Sequence, residues 1–314
     1  MQSCYISYID YHKPCYKLLV DEVLTKTDDS EKNKNYIKKY GNFDEIAIEL
    51  RYNQFEMFDE MMEKYFAFND PAEIRFLIFT GKEYFVNSGM SVPYYLIGKY
   101  GMKNASLIAL NQGCTGTPQG IQLADCIIKA DSKTKVMIAS LSRISSIAER
   151  YDWPTINGDG AGMMVLGREG FLRVLDSYSW SDGAVSLERC ANNGQKIQED
   201  LMQREKLLMM NVKKMILKVL ERNKICMKDI YQFIPQNVHH LLYRMYAKSI
   251  NVKLDKFFLE NIPKGGHIGD VDSVRNLKDV ILKHNKNAGL KYLLFTLGDL
   301  GGNFSYYAVL LESC

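Results

Sequence analysis

The sequence contains no apolar segment as long as a membrane-spanning helix, and its first residues lack the basic and apolar stretches of a secretory signal. It also lacks a charge bias. The formal net charge is +3 over 314 residues, and the basic residues are spread along the chain instead of forming an arm. These absences argue against a membrane protein and against nucleic-acid binding driven by charge. We therefore expect a cytoplasmic protein.

Paired motifs of cysteine or histidine are missing as well. The seven cysteines show neither metal-ligand spacing nor a dense disulfide framework, and the sequence has only five histidines. Reduced thiols in a reducing compartment fit this pattern, and we expect neither a metal nor a bound cofactor. A hydrophobic content of 46% with 25% charged residues is typical of a globular protein. The length allows two ordinary domains or one duplicated domain.

Strand patterns alternate with helical periods along the chain. Helices are predicted by apolar spacing at residues 17–23, 46–66 and 212–222, and residues 28–35 indicate an exposed loop or a helix start. Short runs of β-branched, aromatic and aliphatic residues predict strands at 5–11, 74–79, 105–110, 171–175, 230–234, 290–297 and 306–311. This alternation favours a mixed or mostly parallel sheet with helices on its faces.

One arrangement occurs twice. Residues 73–80 and 229–236 each consist of an acidic residue, a buried strand and a turn, and each segment follows a helical pattern. A repeat of this length is typical of two fused α/β halves. We predict a first half at 1–167 and a second half at 168–314.

A candidate nucleophile lies in the stretch from Asn111 to Asp125. Cys114 falls between a predicted strand and a predicted helix, and Gly113 and Gly116 bracket a tight turn around it. A free cysteine is most often a buried small hydrophobe. A helix N-terminus, however, favours the thiolate, which is the nucleophilic form of the side chain. The position therefore indicates a cysteine that accepts an acyl group.

Three later segments, at residues 157–166, 233–239 and 297–304, accompany this turn. Together and in this order, the four segments resemble the ketoacyl-acyl carrier protein synthase III family of thiolase-fold condensing enzymes. The resemblance implies an α-β-α-β-α sandwich with two mixed five-stranded sheets and an active site between the halves. The glycine-rich segment 158–162 lacks the Lys-Ser/Thr of a phosphate-binding loop, so we assign it no chemistry.

The resemblance also implies a set of site residues. The backbone amides of Cys114 and Gly302 would hold the thioester oxyanion, and Asn237 and Phe304 would contact the substrate. Decarboxylating members of the family have a histidine where this chain has Gln236. They have an asparagine where it has His267. Because glutamine cannot act as a base, decarboxylative condensation is the second interpretation here.

The pattern is more similar to a side branch of the family, the stand-alone acyltransferases of natural-product pathways. His267 matches the Gly-His histidine of that branch, and Asp272 matches its carboxylate. The base position of that branch is Gln236 here, so the match leaves the base unassigned. Because histidine titrates near neutral pH and His267 lies close in sequence to Asp270 and Asp272, we predict that His267 is the base and that Asp272 or Asp270 orients it; a purely loop-stabilising role is the alternative. For the remaining histidines, we predict that His12 and His284 lie at the surface and that His239 and His240 have structural roles.

The predicted function is acyl transfer through a thioester on Cys114. The donor would be an acyl carrier protein or acyl-coenzyme A, and the acceptor a hydroxyl or an amine. A non-catalytic partner subunit is the third interpretation. Arg244 and Lys248, four residues apart on one predicted helix, are expected to dock the acidic carrier. The predicted strand at 105–110 is expected to pair across a homodimer.

Overall fold

The computed structural model describes residues 3–81, 89–111, 113–191, 201–284, 287–300 and 302–314. Its β-strands, in chain order, are β1 Cys4–His12, β2 Tyr16–Leu19, β3 Glu45–Ile48, β4 Ile74–Thr80, β5 Ser106–Leu110, β6 Lys135–Ser142, β7 Tyr151–Asp152, β8 Thr155–Ile156, β9 Gly160–Gly167, β10 Leu172–Asp182, β11 Ile230–Ile234, β12 Lys291–Leu300 and β13 Asn303–Ser313. Its α-helices are α1 Val20–Lys26, α2 Glu31–Tyr36, α3 Asp59–Phe66, α4 Val92–Tyr100, α5 Gly116–Ala130, α6 Ala184–Ala191, α7 Leu201–Arg222, α8 His240–Ser249 and α9 Val271–His284. Within these residues, no helix is both long and apolar enough to cross a membrane.

A large mixed sheet runs through the molecule. Among the described strands, nine pair in the order β11-β12-β13-β10-β1-β9-β6-β4-β5. β4 runs parallel to β5 and β6, β11 runs parallel to β12, and the other neighbours are antiparallel. The two groups of strands meet at β1, which pairs with β9 along most of its length. A short ladder joins Cys4–Ile6 to Leu172–Val174 of β10.

Helices cover both groups of strands and also separate them. One apolar cluster packs α3 and α4 on β4, β6 and β9, and another packs α7 and α8 on β11, β12 and β13. A third cluster places α5 and α9 between the two groups of strands. The predicted α-β-α-β-α thiolase-like architecture is therefore confirmed. Among the described residues, the second half contributes four strands, β10 to β13. A single β-bridge between Phe257 and Phe233 occupies the place where a fifth strand was predicted.

The repeat seen in the sequence corresponds to matching elements. β4 and β11 each follow a short 3-10 turn, at Pro71–Glu73 and Met227–Asp229. Each strand then has a parallel neighbour within its own half. The chain passes from one group of strands to the other between β9 and β10. The division at 167/168 remains a prediction.

Two predicted helices are partly wrong. Residues 46–66 do not form one helix, because Glu45–Ile48 is a strand paired with β2. The backbone amides of Glu45 and Ala47 donate to the carbonyls of Pro263 and Gly265, respectively. Contacts with residues far away in the sequence therefore stabilise this extended conformation. Similarly, the predicted helix at 17–23 begins as strand β2. Helix α2, by contrast, starts where the sequence indicated, with Ser30 as its N-cap.

Strand β5 lies at the edge of the sheet. It pairs only with β4 among the described strands, and Ser106 and Ala109 are exposed. Its outer row of backbone groups is therefore available to another strand.

The glycine-rich segment at 158–162 has a packing role. A Cβ on Gly158 would lie 2.3 Å from the carbonyl oxygen of Gly265, and one on Gly162 would lie 2.9 Å from Val274 of α9. These glycines therefore let the second half approach β9 closely. Asp159 between them forms a buried ion pair with Arg150.

Candidate active site

The predicted nucleophile lies on a tight turn between β5 and α5. Cys114 belongs to a 3-10 turn, Gly113–Thr115, and its side chain is partly exposed. Gly113 has a φ of +62°, and a Cβ there would lie 3.0 Å from the carbonyl oxygen of Asp299. Glycine is therefore required both for the backbone conformation and for the close contact with the end of β12.

A histidine and a carboxylate from the second half complete a chain with this cysteine. The Nε2 atom of His267 lies 3.1 Å from Cys114 Sγ, and its Nδ1 lies 2.6 Å from Asp272 Oδ2. His267 is 5% exposed and Asp272 is fully buried. The structure thus brings together the side chains predicted as nucleophile, base and orienting carboxylate, in hydrogen-bonding order.

The carboxylate of Asp272 is held from several directions. Its Oδ2 accepts the backbone amide of Asn237 at 2.8 Å, and its Oδ1 accepts the Asn237 side chain at 2.8 Å and the Ile268 amide at 3.0 Å. These donors stabilise an anion in a buried position. Asn237 itself has no exposed surface, so its prediction as a substrate-binding residue is wrong: it faces Asp272, not the cavity.

The protonation of His267 follows from these contacts. Burial alone would lower its pKa, but the Cys114 sulfur and the Asp272 carboxylate outweigh burial and raise the pKa well above 6.5. The geometry therefore favours the protonated form of His267, which lies between the Cys114 sulfur and the Asp272 carboxylate. The nucleophilic form of a cysteine is the thiolate, which can attack a thioester without a further base.

Gln236 holds the nucleophile turn instead of contributing chemistry. Its Nε2 donates to the backbone carbonyl of Cys114 at 2.7 Å, and its Oε1 accepts the amide of Leu297 at 3.0 Å. Both ends of this buried amide are therefore used on backbone groups. Gln236 occupies a position that the resemblance makes catalytic, but in this structure its side chain has a positioning role.

Gly302 does not face the nucleophile as expected. The β12–β13 hairpin continues to the pair Leu300–Asn303, which places Gly302 at its tip. There its amide donates to Asp299 Oδ1 at 2.7 Å. The segment beside the nucleophile turn is instead Gly298–Asp299. The prediction of Gly302 as an oxyanion donor is therefore wrong in this structure.

A cavity of about 350 Å³ opens at Cys114 and His267. Phe304 lines it, as predicted for a substrate contact. Most of the other residues that line the cavity were not predicted from the sequence. They are largely apolar or aromatic and include Tyr36, Trp153, Leu208, Met209, Val212, Leu242, Tyr246, Phe295 and Leu297. Only Trp153, one of two tryptophans and next to a proline, offered a signal in the sequence.

The other histidines have distinct environments. Burial lowers the pKa of His239 to about 4, and its Nδ1 accepts the Leu242 amide as the N-cap of α8. His240 is partly exposed beside it. His12 was predicted at the surface, but its side chain is 8% exposed and pairs with Glu49 at 2.6 Å. His284 was also predicted at the surface, and its side chain lies outside the described residues.

The basic residues predicted to dock a carrier are exposed on α8. Arg244 also lines a separate polar pocket together with Lys38, Lys39 and His240. Lys248 follows one turn later on the same helix. The structure therefore offers a local concentration of positive charge near the start of α8, although the net charge of the chain is small.

The fold and the Cys114–His267–Asp272 chain define a thiolase-type enzyme scaffold, and comparison with known proteins narrows this class. The family model described as 3-oxoacyl-[acyl-carrier-protein (ACP)] synthase III matches residues 108–183. A β-ketoacyl-[acyl-carrier-protein] synthase III from Campylobacter curvus is 24% identical over 65% of this chain and 65% of its own length. One from Rickettsia rickettsii is 28% identical over 54% of this chain and 57% of its own length. The chain thus spans about three fifths of these curated relatives.

Solved structures are similar over nearly the whole chain. The acyltransferase ChlB3 superposes with a TM-score of 0.79 at 17% identity, covering 99% of this chain and 98% of its own. The 3-oxoacyl-[acyl-carrier-protein] synthase III of Aquifex aeolicus gives 0.77 at 20% identity, covering 98% and 99%. At these identities the structures show the fold. The family model and the curated relatives show that part of the chain is similar to the 3-oxoacyl-[acyl-carrier-protein] synthase III family.

Proposed function

We propose that this protein is an acyltransferase that carries an acyl group as a thioester on Cys114 and passes it to a hydroxyl or an amine. The single observation behind the proposal is the continuous chain from Cys114 Sγ through His267 to Asp272. A base placed between the nucleophile and a buried carboxylate can serve both halves of such a reaction.

In the first half-reaction the Cys114 thiolate attacks the thioester carbonyl, and the carbonyl electrons move to oxygen. Collapse of this tetrahedral intermediate breaks the bond to the donor sulfur, which takes the proton of the His267 imidazolium. In the second half-reaction the neutral His267 removes a proton from the acceptor. The acceptor then attacks the acyl-enzyme, and Cys114 leaves as a thiolate. Ping-pong kinetics follow from this order.

Decarboxylative condensation is the less favoured reaction. A malonyl thioester needs side chains that hold its carboxylate and then its enolate. Gln236 has both ends committed to the backbone of Cys114 and Leu297, and His267 is committed to Cys114 and Asp272. One N–H of the Gln236 amide and both ring nitrogens of His267 are used in these contacts, and glutamine cannot act as a base, so the site favours acyl transfer.

Intact-protein mass spectrometry tests the proposal. The protein would be incubated with an acyl-coenzyme A or an acyl carrier protein, with Cys114→Ala as the control. We expect an adduct on the wild type that disappears when a hydroxyl or amine acceptor is added. Release only by malonyl thioester, with loss of carbon dioxide, would assign the condensing reaction. Absence of any adduct would favour a non-catalytic subunit.

The proposed setting is a cytoplasmic homodimer in a secondary-metabolite pathway, with no cofactor besides the thioester donor. An acyl carrier protein would dock on Arg244 and Lys248, which are exposed on α8. The open edge of β5 supports the dimer, because an unpaired edge strand is ready to pair with a second copy. Light scattering at micromolar concentration would test the dimer.

A further inference from the structure

Three asparagine side chains form a buried network behind the Asp272 carboxylate. Asn237 and Asn276 have no exposed surface, and Asn261 is 7% exposed. Asn237 lies between β11 and α8, Asn276 lies on α9, and Asn261 lies in the segment before α9. A buried amide is costly unless its N–H groups and its carbonyl find partners. The hydrogen bonds of these three amides therefore decide which way each of them faces.

The orientation of Asn276 is fixed from one end of the network. Its Nδ2 donates to the backbone carbonyl of Pro235 at 2.7 Å, and a carbonyl can only accept. Its Oδ1 therefore faces the other way, where it accepts from Asn261 Nδ2 at 2.9 Å. Asn261 uses its second N–H on Asp279 Oδ2, at 2.8 Å. A reversed Asn276 would bring its oxygen against the carbonyl of Pro235, so only one orientation satisfies the contacts.

Asn237 and Asn276 form a reciprocal pair of amides. Asn276 Nδ2 donates its other N–H to Asn237 Oδ1 at 2.9 Å, and Asn237 Nδ2 donates to Asn276 Oδ1 at 3.3 Å. This pairing turns the remaining N–H of Asn237 toward Asp272 Oδ1, which lies 2.8 Å away. Asp272 needs a donor there, because its two oxygens already accept the backbone amides of Asn237 and Ile268. The pairing thus decides what Asp272 receives.

From these contacts we infer that Asn276 is a positioning residue of the site: it orients the Asn237 amide so that Asp272 receives an N–H, and it thereby holds Asp272 against His267. An Asn237 side chain facing the other way would present its oxygen to the carboxylate, and two acceptors would oppose each other. Asp272 Oδ2 lies 2.6 Å from His267 Nδ1, so a displaced carboxylate would weaken the contact that orients the ring. The inference rests on the proposed function only in naming His267 as the base.

Nuclear magnetic resonance on the wild-type protein tests the orientation of the Asn237 amide. The Asn237 side chain and the Ile268 backbone both donate to Asp272 Oδ1, so their N–H hydrogens should be linked by a nuclear Overhauser effect. Loss of the side-chain signal in Asn237→Ala identifies it. A side-chain amide that shows no such link to Ile268 would face away from Asp272, and the inference would be wrong. This measurement needs no substitution at Asn276.

The effect on the base is measured by a pH titration of the His267 ring, whose signal is identified with His267→Ala. Burial lowers the pKa of His267, whereas the Cys114 sulfur and the Asp272 carboxylate raise it. Asn276→Ala should therefore lower the midpoint by about half a pH unit or more, because the hydrogen bond from Asp272 is weakened.

A matched control removes an asparagine elsewhere. Asn223 donates to the carbonyl of Val219 and to Asp176, so Asn223→Ala should leave the His267 midpoint in place. Asn276→Leu, which fills more of the vacated space than alanine, serves as the second variant if Asn276→Ala does not fold. An unchanged midpoint in a folded variant of Asn276 would overturn the inference.

A double variant separates positioning from a purely structural role. Asn276→Ala should add little to the midpoint shift of Asn237→Ala, because the amide that Asn276 orients is already absent. A full additional shift would show that Asn276 acts by another route, and the inference would fail. The titration needs no acyl donor, so it can succeed or fail independently of the mass-spectrometric test of acyl transfer.

Discussion

The starts of α5 and α9 occupy matching places in the two halves, and they have diverged into complementary parts of one site. The first half ends its edge strand β5 in a glycine-flanked turn that presents Cys114. The second half replaces the matching strand with the single bridge at Phe257, followed by the loop that carries His267. Glycine permits the backbone conformation and close packing of the nucleophile turn, whereas hydrogen bonds that converge on Asp272 hold the loop of His267.

Each half also supplies what the other lacks. Gln236 fixes the carbonyl of Cys114 and Asp270 fixes the amides that follow it, so the second half sets the geometry of the nucleophile. The first half thus supplies the sulfur, whereas His267 and Asp272, together with Gln236 and Asp270, which hold the turn, come from the second half. Substitutions at the two helix starts should therefore have different consequences.

The largest effect on activity is expected from a substitution of Cys114, at the start of α5. Cys114→Ala should abolish acyl loading and leave the fold intact, because the turn is set by Gly113 and by backbone contacts and not by the sulfur. Mass spectrometry after incubation with acyl donor measures the loading, and circular dichroism checks the fold. Normal acylation of the alanine variant would remove Cys114 as the nucleophile.

The second prediction concerns His267 and separates loading of the acyl group on Cys114 from its transfer to the acceptor. His267→Ala removes the group expected to deprotonate the acceptor, so the acyl-enzyme should accumulate while product formation falls by about 10²–10⁴-fold, the usual contribution of a general base. Quenched-flow mass spectrometry follows both species. Asp272→Asn is the matched control. It should act in the same direction with a smaller loss, because His267 remains in place. Turnover at the wild-type rate would mean that another group accepts the proton.

The third prediction concerns stability and the base loop. The folded pKa of Asp270, about 7, lies above its ordinary value of 3.8, so folding binds a proton between these values. The stabilisation is fully present below about pH 4 and is lost as the pH rises through 7. Asp270→Asn should therefore gain stability relative to wild type from pH 5 to pH 8, by about 4 kcal/mol at most. Urea unfolding at several pH values measures the difference, and a constant difference would contradict a raised pKa.

The smallest effect is expected for the two basic residues on α8, Arg244 and Lys248, which lie outside the starts of α5 and α9. Replacing Arg244 and Lys248 with glutamate should slow loading from an acyl carrier protein severalfold, with little effect on a small thioester donor, because exposed charges mainly speed association. The difference between the two donors should shrink at high salt. Kinetics with both donors at low and high ionic strength measure it. Equal slowing with both donors would show that this surface does not recognise the carrier.

The sequence predicted the elements whose signals are local. The strand–turn–helix order around Cys114 and the repeat of β4 as β11 are carried by neighbouring residues, and the short spacing between His267 and Asp272 placed the carboxylate close to the histidine. Gly302 was misplaced because the length of a hairpin depends on strand register, which local pattern does not specify.

Other features of the fold and the site depend on contacts between residues that are far apart in the sequence. The helix expected at 46–66 is interrupted because the carbonyls of Pro263 and Gly265 hold residues 45–47 as a strand. Asn237 had the right motif but faces Asp272, which no spacing rule reveals. Tyr36, Trp153 and Leu208 meet in the cavity only after the halves pack together.

The position of β1 has a consequence for how the molecule forms. This first strand of the chain pairs with residues of β9 and β10 that lie about 150 or more positions later, so its hydrogen bonds close only when much of the chain has been made. Contacts of such long sequence separation slow folding, because loop-closure entropy is lost before they form. The two helix starts that carry the site depend on the same late event. During synthesis Cys114 therefore emerges well before His267, from which it is 153 residues distant, and the contact between the two side chains forms only late in assembly.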